Sequence, residues 1–180
     1  LDSSRYYITD VTDQYCGTKH TATVKITIQH KADPSTDMNY VLTISPQKEV
    51  EDLDELEGIE DHSSVIQYYD GLGRPVQTIQ VFGSPQGNDI IVPVFYDDFG
   101  RESIKYLPYA QGSNRGSYIE NAITSQASFY NGQNYFPDDT ANAKTVFENS
   151  PLNRVLEQGA PGRPWQPASS DSLSGHTVKI

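Results

Sequence analysis

The sequence predicts a mainly β protein built from antiparallel hairpins, and three observations lead to this fold class. Tyrosine is abundant, with 12 residues among 180, while only 36% of the residues are hydrophobic; aromatic side chains of this kind favour half-buried sheet surfaces. Several stretches alternate apolar and polar side chains with the period of a strand. A six-residue pattern rich in turn formers recurs between such stretches. One short acidic segment is the predicted exception.

The first block, residues 1–29, predicts a two-stranded hairpin. Residues 21–28 alternate between an apolar and a polar face, as a half-buried strand does. Residues 6–8 open the partner strand, and turn formers occupy residues 13–19 between the two. The block resembles the terminal strands of an immunoglobulin-like module. Residues 30–38 are polar and are predicted to be a linker.

The single cysteine, Cys16, leaves no disulfide within this chain. We interpret it as a free thiol, and a bridge to a preceding segment stays open. A catalytic thiolate needs a paired base, and His20 would lie ~13 Å away if both residues belonged to one strand. The sequence therefore does not predict a nucleophilic role for Cys16.

Residues 49–61 form an acidic segment with eight carboxylates and no basic residue, so that it carries most of the formal net charge of −11. Its apolar residues recur at every third position, which predicts a short helical or 3₁₀ stretch. A calcium loop is the alternative, but Leu56 stands at a ligand position and Glu57 at the position of the turn glycine. The segment is therefore interpreted as a solvated connector.

The pattern Tyr-Asp-x-x-Gly-Arg occurs twice, and a degenerate third copy follows. The copies are named motif 1 (residues 69–74), motif 2 (96–101) and motif 3 (147–154). Their defining side chains are an aromatic residue, an acid, a turn residue and an arginine: Tyr69, Asp70, Gly73 and Arg74; Tyr96, Asp97, Gly100 and Arg101; Phe147, Glu148, Asn153 and Arg154.

Each residue type in the motif has a reason to shape a hairpin turn. A carboxylate accepts backbone N–H groups two residues on. The residue before the arginine is predicted to have positive φ, which glycine adopts freely and asparagine tolerates. The arginine then opens the return strand, where its guanidinium can pair with the acid. Repeated motifs are more often scaffold than chemistry, although arginine–carboxylate pairs also occur in ligand pockets. In the strand before motif 2, Pro93 suggests an edge position or a bulge.

The motif resembles the signature of the RHS or YD repeats of large bacterial surface and secreted proteins. Longer strings resemble the uncharacterised domain that precedes those repeats: NYVLTISP, QYYDGLGRPVQTI, VFYDDFGRESIKYLPYA and VFENSPLNRVLEQGAPG. The resemblance covers residues 39–167 and leaves 168–180 as an irregular tail leading into further repeats.

The resemblance implies a non-catalytic scaffold. RHS repeats form β ribbons that spiral into a shell around a C-terminal toxin or effector, and this domain would contribute a plug or the first turns. The expected partners are the other parts of the same polypeptide, the expected location is secreted or at the cell surface, and no enzyme activity or cofactor is expected.

Two rival functions stay open. A carbohydrate-binding adhesin predicts an exposed aromatic row, with Trp165, Tyr106 and Tyr109 as possible ligand contacts. An enzyme predicts a pocket in which two ionisable side chains converge.

Three other functions are not predicted. The negative charge argues against nucleic-acid binding. No run approaches the ~20 apolar residues of a membrane helix, and the four histidines lack metal-ligand spacing.

Overall fold

The computed structural model describes residues 31–52, 55, 56, 58–132, 140–167 and 175–180 in full, and residues 6–16 and 19–28 by their backbone. The fold is mainly antiparallel β, as the sequence predicts. The strands are β1 (Tyr6–Cys16), β2 (Lys19–Ile28), β3 (Asn39–Pro46), β4 (His62–Tyr69), β5 (Pro75–Val81), β6 (Asp89–Phe95), β7 (Ile104–Tyr106), β8 (Tyr109–Gln111), β9 (Asn142–Phe147), β10 (Val155–Gln158) and β11 (Val178–Lys179). The helix α1 (Ala122–Asn131) follows β8.

The strands form two sheets. β1 and β2 pair with each other, and the other nine strands form one antiparallel sheet in the order β11-β10-β9-β7-β6-β5-β4-β3, with β8 also paired to β6. The strands from β3 to β6 pair in chain order as an antiparallel meander. The acidic segment connects β3 to β4, and shorter connections rich in turn formers join β4 to β5 and β5 to β6. The β11 and β3 strands lie at the two ends of the larger sheet.

The N-terminal hairpin has longer strands than the sequence predicts. Residues 13–16 and Lys19 belong to strands, so the prediction of a turn across 13–19 is wrong. The chain reverses between Cys16 and Lys19, which pair with each other, and Tyr15 pairs with His20. The straight-strand separation predicted for Cys16 and His20 therefore does not apply, because the two residues lie on facing strands. The immunoglobulin-like resemblance of this block stays a prediction.

The core lies on one face of β4, β5 and β6. Side chains at every second position of these strands are buried. Four of them are completely inaccessible to solvent: Ile66, Tyr68, Ile79 and Ile91. Ala122 of α1 packs against this cluster. Burying one such isoleucine contributes about 1.5–3 kcal/mol, so the alternation seen in the sequence places side chains that stabilise the fold.

Pro93 lies on an interior strand, and its pairing with Gln77 shows no register shift, so the prediction of an edge position or a bulge is wrong. Its strand, β6, is interior and pairs with β5, β7 and β8. The residues of β6 that pair with β8 end at Ile91, and those that pair with β7 begin at Val94. Pro93 thus falls in the gap between two partners, where a residue without an N–H group disturbs the sheet least.

The acidic segment contains a 3₁₀ turn at Ile59–Asp61, in agreement with the sequence prediction. The Asp61 carboxylate accepts the N–H of Gly58 at 2.9 Å and pairs with Lys48 at 3.1 Å. Leu56 is buried, so an apolar anchor fixes the segment. Residues 53, 54 and 57 lie outside the described residues.

Residues 31–35, in the stretch predicted as a linker, are fastened to a later loop. The amide of Asp33 donates to the carbonyl of Arg115 at 2.6 Å, and the Arg115 guanidinium donates to the carbonyl of Lys31 at 2.7 Å. The amide of Ser35 donates to the buried hydroxyl of Tyr68 at 2.9 Å. These bonds tie the approach to β3 onto the core.

Candidate functional site

The three motifs lie at the same end of the large sheet. Motif 1 connects β4 to β5, motif 2 connects β6 to β7, and motif 3 connects β9 to β10. Because neighbouring strands run antiparallel, these three connections all return to one rim of the sheet. We call this rim the turn row.

Within motif 1, the Asp70 carboxylate organises the turn. One oxygen, Oδ1, accepts the amides of Leu72 and Arg74, both at 2.9 Å. The other, Oδ2, accepts Nε of Arg74 at 2.8 Å and also lies 2.8 Å from its Nη2. The backbone closes the turn, since the Gly73 amide donates to the Asp70 carbonyl at 3.0 Å. The carboxylate and the guanidinium therefore hold the hairpin in shape.

Motif 2 repeats this geometry. The Asp97 carboxylate accepts the amides of Phe99 at 3.0 Å and Arg101 at 2.9 Å, and Nε of Arg101 at 2.8 Å. The amide of Gly100 donates to the Asp97 carbonyl at 2.8 Å. The same residue types in the same spacing thus produce the same turn twice.

Motif 3 reaches a similar result with two extra residues. The Glu148 carboxylate pairs with Nε of Arg154 at 2.9 Å and with its Nη2 at 2.8 Å, and the Glu148 amide donates to the Arg154 carbonyl. The longer loop separates the acid from the inner amides, and Ser150 takes over their role: its hydroxyl accepts the Leu152 amide at 3.2 Å and donates to Glu148 at 2.8 Å. Glutamate and serine together replace the aspartate.

The residue before each arginine has the positive φ that the sequence predicts. The angles are +76° at Gly73, +72° at Gly100 and +57° at Asn153. This left-handed conformation costs most side chains about 1–2 kcal/mol. Glycine avoids the cost and asparagine tolerates the conformation, which explains why these two residue types occur at the position.

The arginines of motifs 1 and 2 also contact the aromatic residue of the next motif. The guanidinium carbon of Arg74 lies 4.4 Å from the ring centre of Tyr96, and that of Arg101 lies 4.6 Å from the ring centre of Phe147. The Tyr96 hydroxyl donates back to the carbonyl of Pro75 at 2.9 Å. Such cation–π contacts contribute about 0.5–2 kcal/mol each. The motifs are therefore joined into a ladder.

Arg101 is the best-buried member of this ladder. Its guanidinium lies between the rings of Phe99 and Phe147, each 4.6 Å from the guanidinium carbon. Its Nη1 donates to the carbonyls of Glu148 at 3.1 Å and Ser150 at 3.4 Å. One side chain thus fixes motif 3 against motif 2.

Comparison with known families matches residues 42–179 to a domain of unknown function, DUF6443. The chain belongs to the DUF6443 family. The match begins within β3 and includes the complete turn row and β11. No curated protein matches this chain, and no solved structure matches it.

The acids of the turn row in the DUF6443 domain all have lowered pKa values. For Asp70, the amide of Arg74 is the main cause. For Asp97, burial opposes the change, but the amide and guanidinium of Arg101 outweigh it and lower the pKa. For Glu148, the Arg154 guanidinium is the main cause, followed by the Ser150 hydroxyl. All three therefore favour the ionised form.

Acidification is expected to weaken the turn row. Since folding lowers these pKa values, the stabilisation is complete above the ordinary values of 3.8 for aspartate and 4.5 for glutamate, and it is lost as the pH falls through the lowered pKa values. Urea unfolding between about pH 6 and pH 3 measures this. The double variant Asp70→Asn/Asp97→Asn is expected to show a flatter pH dependence, whereas Asp98→Asn, at an exposed neighbour, is not. Equal slopes in both variants would contradict the assignment.

Replacing Gly73 by valine is expected to cost about 1–2 kcal/mol of unfolding free energy, because valine is forced into the left-handed region. Gly71 is a matched control within the same turn. A Cβ atom at either position meets nothing within 4 Å, but only Gly73 has a positive φ. The unfolding free energy of Gly71→Val, measured with urea, should therefore differ from that of the original chain by less than about 0.5 kcal/mol. Equal losses would show that φ is not the cause.

The possible ligand contacts do not form one exposed row. Tyr109 is 2% exposed and belongs to the core of the DUF6443 domain. Tyr106 is half-buried, and burial raises its pKa. Trp165 is 49% exposed and packs edge-on against His176, with ring centres 5.5 Å apart. Of the three, only Trp165 offers a large exposed aromatic surface.

Trp165 lines a cavity of about 420 Å³ on the surface of the domain. The other walls include Leu107, Tyr130, Ala141 and Pro164, and the lining is mostly apolar. Within the described part of the chain, no three His, Cys, Asp or Glu residues group closely enough to hold a metal ion. The cavity fits an apolar or aromatic-stacking ligand better than a charged one.

Sequence reasoning missed a buried carboxylate, Asp89, which organises the loop before α1. Its Oδ1 accepts the Phe82 amide at 2.9 Å and the Ser113 hydroxyl at 3.1 Å, and its Oδ2 accepts the amides of Asn114 and Gly116, both at 3.0 Å. Asp89 is 2% exposed. Its place at the start of an apolar strand, just after a Gly-Asn turn, was the available signal.

Proposed function

We propose that this chain is a non-catalytic structural module of a large RHS-repeat protein that is secreted or displayed at the cell surface. In this role it contributes a plug or the first turns of a β shell around a C-terminal toxin or effector. Its partners are the repeats and the effector of the same polypeptide.

The observation that supports this proposal most is that the motif side chains bind the hairpin turns and one another. The aspartates of motifs 1 and 2 bind the turn amides, and the acids of all three motifs bind their own arginines. Arg74 and Arg101 then stack on the ring of the following motif. Groups that are occupied in this way are suited to holding hairpins side by side. A ladder of this kind favours a sheet that adds one hairpin at a time, as repeat architectures do.

Sequencing the gene that encodes this chain tests the proposal. We expect further Tyr-Asp-x-x-Gly-Arg motifs downstream of Ile180, followed by a variable C-terminal region. In the complete product, deletion of residues 39–180 is expected to expose that C-terminal region to protease. A gene without downstream motifs would overturn the proposal, and so would a C-terminal region that stays equally protected after the deletion.

A carbohydrate-binding adhesin is the second candidate, and the exposure of Trp165 beside an apolar cavity favours it. Exposed aromatic rings can stack on the apolar faces of sugars. A glycan array probed with the chain of residues 1–180 and with its Trp165→Ala variant separates the candidates. Saturable binding that the substitution abolishes would favour the adhesin, whereas no binding by either protein favours the scaffold.

The described residues include no helix long and apolar enough to cross a membrane.

A further inference from the structure

The contacts between motifs follow the register of the strands. Pairing of Gln77 with Pro93 continues to the turn row and places Arg74 opposite Tyr96. In the same way, pairing of Ile104 with Lys144 places Arg101 opposite Phe147. Both directly opposed pairs stack, at 4.4 Å and 4.6 Å. The rule is that the arginine opening one strand contacts the aromatic residue that ends the neighbouring strand.

Arg154 is the member of the ladder without a stacked ring in the described residues. It makes the same pair with its acid as the others, yet its side chain is 70% exposed, against 37% for Arg74 and 12% for Arg101. The guanidinium is thus held in position by Glu148 while its outer face meets solvent. Its conformational entropy is already reduced, which favours binding of a ring there.

The neighbouring strand, β11, runs toward this arginine. Glu157 pairs with Lys179, and the amide of Ile180 donates to the carbonyl of Leu156 at 3.1 Å. When this register is continued, the position opposite Arg154 is the second one after Ile180. β11 lies at the edge of the sheet, and Ile180 is 77% exposed. An edge of this kind can accept a further strand.

We propose that Arg154 is a docking point for an aromatic side chain two positions after Ile180, on a strand that continues β11 in the same polypeptide. This ring and an acid directly after it would repeat the contact that joins motifs 1, 2 and 3, and would add a fourth hairpin to the sheet. The inference rests on the proposed scaffold function and names the residue through which the scaffold continues.

The test extends residues 1–180 by a threonine followed by a copy of residues 69–79, which places tyrosine at the second position after Ile180. The matched extension carries alanine in place of that tyrosine. Both extensions are made in the original chain and in Arg154→Gln. Thermal unfolding midpoints are measured, and NMR follows the side-chain Nε–H signal of Arg154.

We expect the tyrosine extension to melt about 2–4 °C above the alanine extension, and this gain to vanish in Arg154→Gln. We also expect an upfield ring-current shift of the Arg154 signal with tyrosine alone. Equal midpoints and no shift would overturn the inference, and so would a gain that persists in Arg154→Gln.

The internal pair Arg74 and Tyr96 separates failure of this inference from failure of the proposed function. In a double-mutant cycle with Arg74→Gln and Tyr96→Ala, coupling is expected between the two side chains. If Arg74 and Tyr96 are coupled but the extension has no effect, Arg154 is not the docking point, and the proposed scaffold function is not contradicted. The proposed function itself is contradicted by a gene without downstream motifs, and this result does not depend on the extension.

Discussion

Replacing Asp89 by alanine is expected to lower the unfolding free energy by at least about 3 kcal/mol. The substitution removes an acceptor from three backbone amides and one hydroxyl, and the carboxylate that receives them is 2% exposed. A hydrogen bond to a charged group contributes about 1.5–3 kcal/mol, and a buried donor left without a partner is costly in addition. For a chain of this size the melting midpoint should fall by roughly 10 °C.

The control for this prediction is Asp98→Ala. Asp98 is an exposed residue of motif 2, so the substitution removes the same charge without breaking into the core. Its effect should stay within about 0.5 kcal/mol. Thermal and urea unfolding followed by circular dichroism measure both variants. If the Asp89→Ala and Asp98→Ala variants have the same melting midpoint, the Asp89 carboxylate does not stabilise the loop in the way that its hydrogen bonds indicate.

The turn row could be predicted from the sequence because its determinants are local. Asp70 and Arg74 are four residues apart, and the turn between them needs one residue with positive φ. A short pattern of residue types contains all of this information. The alternation of apolar residues likewise predicted the mainly β fold, since burial in β4–β6 follows the strand period.

The ladder between motifs could not be predicted, because it depends on which strands become neighbours. Arg101 and Phe147 are distant in sequence and meet only when β9 pairs with β7. The same holds for Asp89, whose partners are spread over the loops at residues 82 and 113–116. Tyr109 illustrates the converse: from the sequence it is a possible ligand contact in an exposed aromatic row, but pairing of β8 with β6 brings it into the core.

Replacing Gly116 by alanine is the second substitution with a large expected effect. This glycine has a φ of +86°, and an added Cβ would lie well inside contact distance of Ile66 Cδ1 and 2.9 Å from Val81 Cγ2. Its amide donates to Asp89, and its carbonyl accepts the Tyr68 hydroxyl at 2.7 Å, so the backbone has little freedom to move away.

Two costs add for Gly116→Ala. The left-handed conformation costs about 1–2 kcal/mol, and overpacking a buried site costs about 1–3 kcal/mol, so a loss of about 2–5 kcal/mol is expected. Gly87→Ala isolates the first cost, because Gly87 has a φ of +71° and open space around its Cβ position. The losses of unfolding free energy in the two variants, measured with urea, should therefore differ by about 1–3 kcal/mol. Equal losses would mean that Ile66 and Val81 yield to the methyl group, and that the loop is less firmly seated on β4 and β5 than its hydrogen bonds imply.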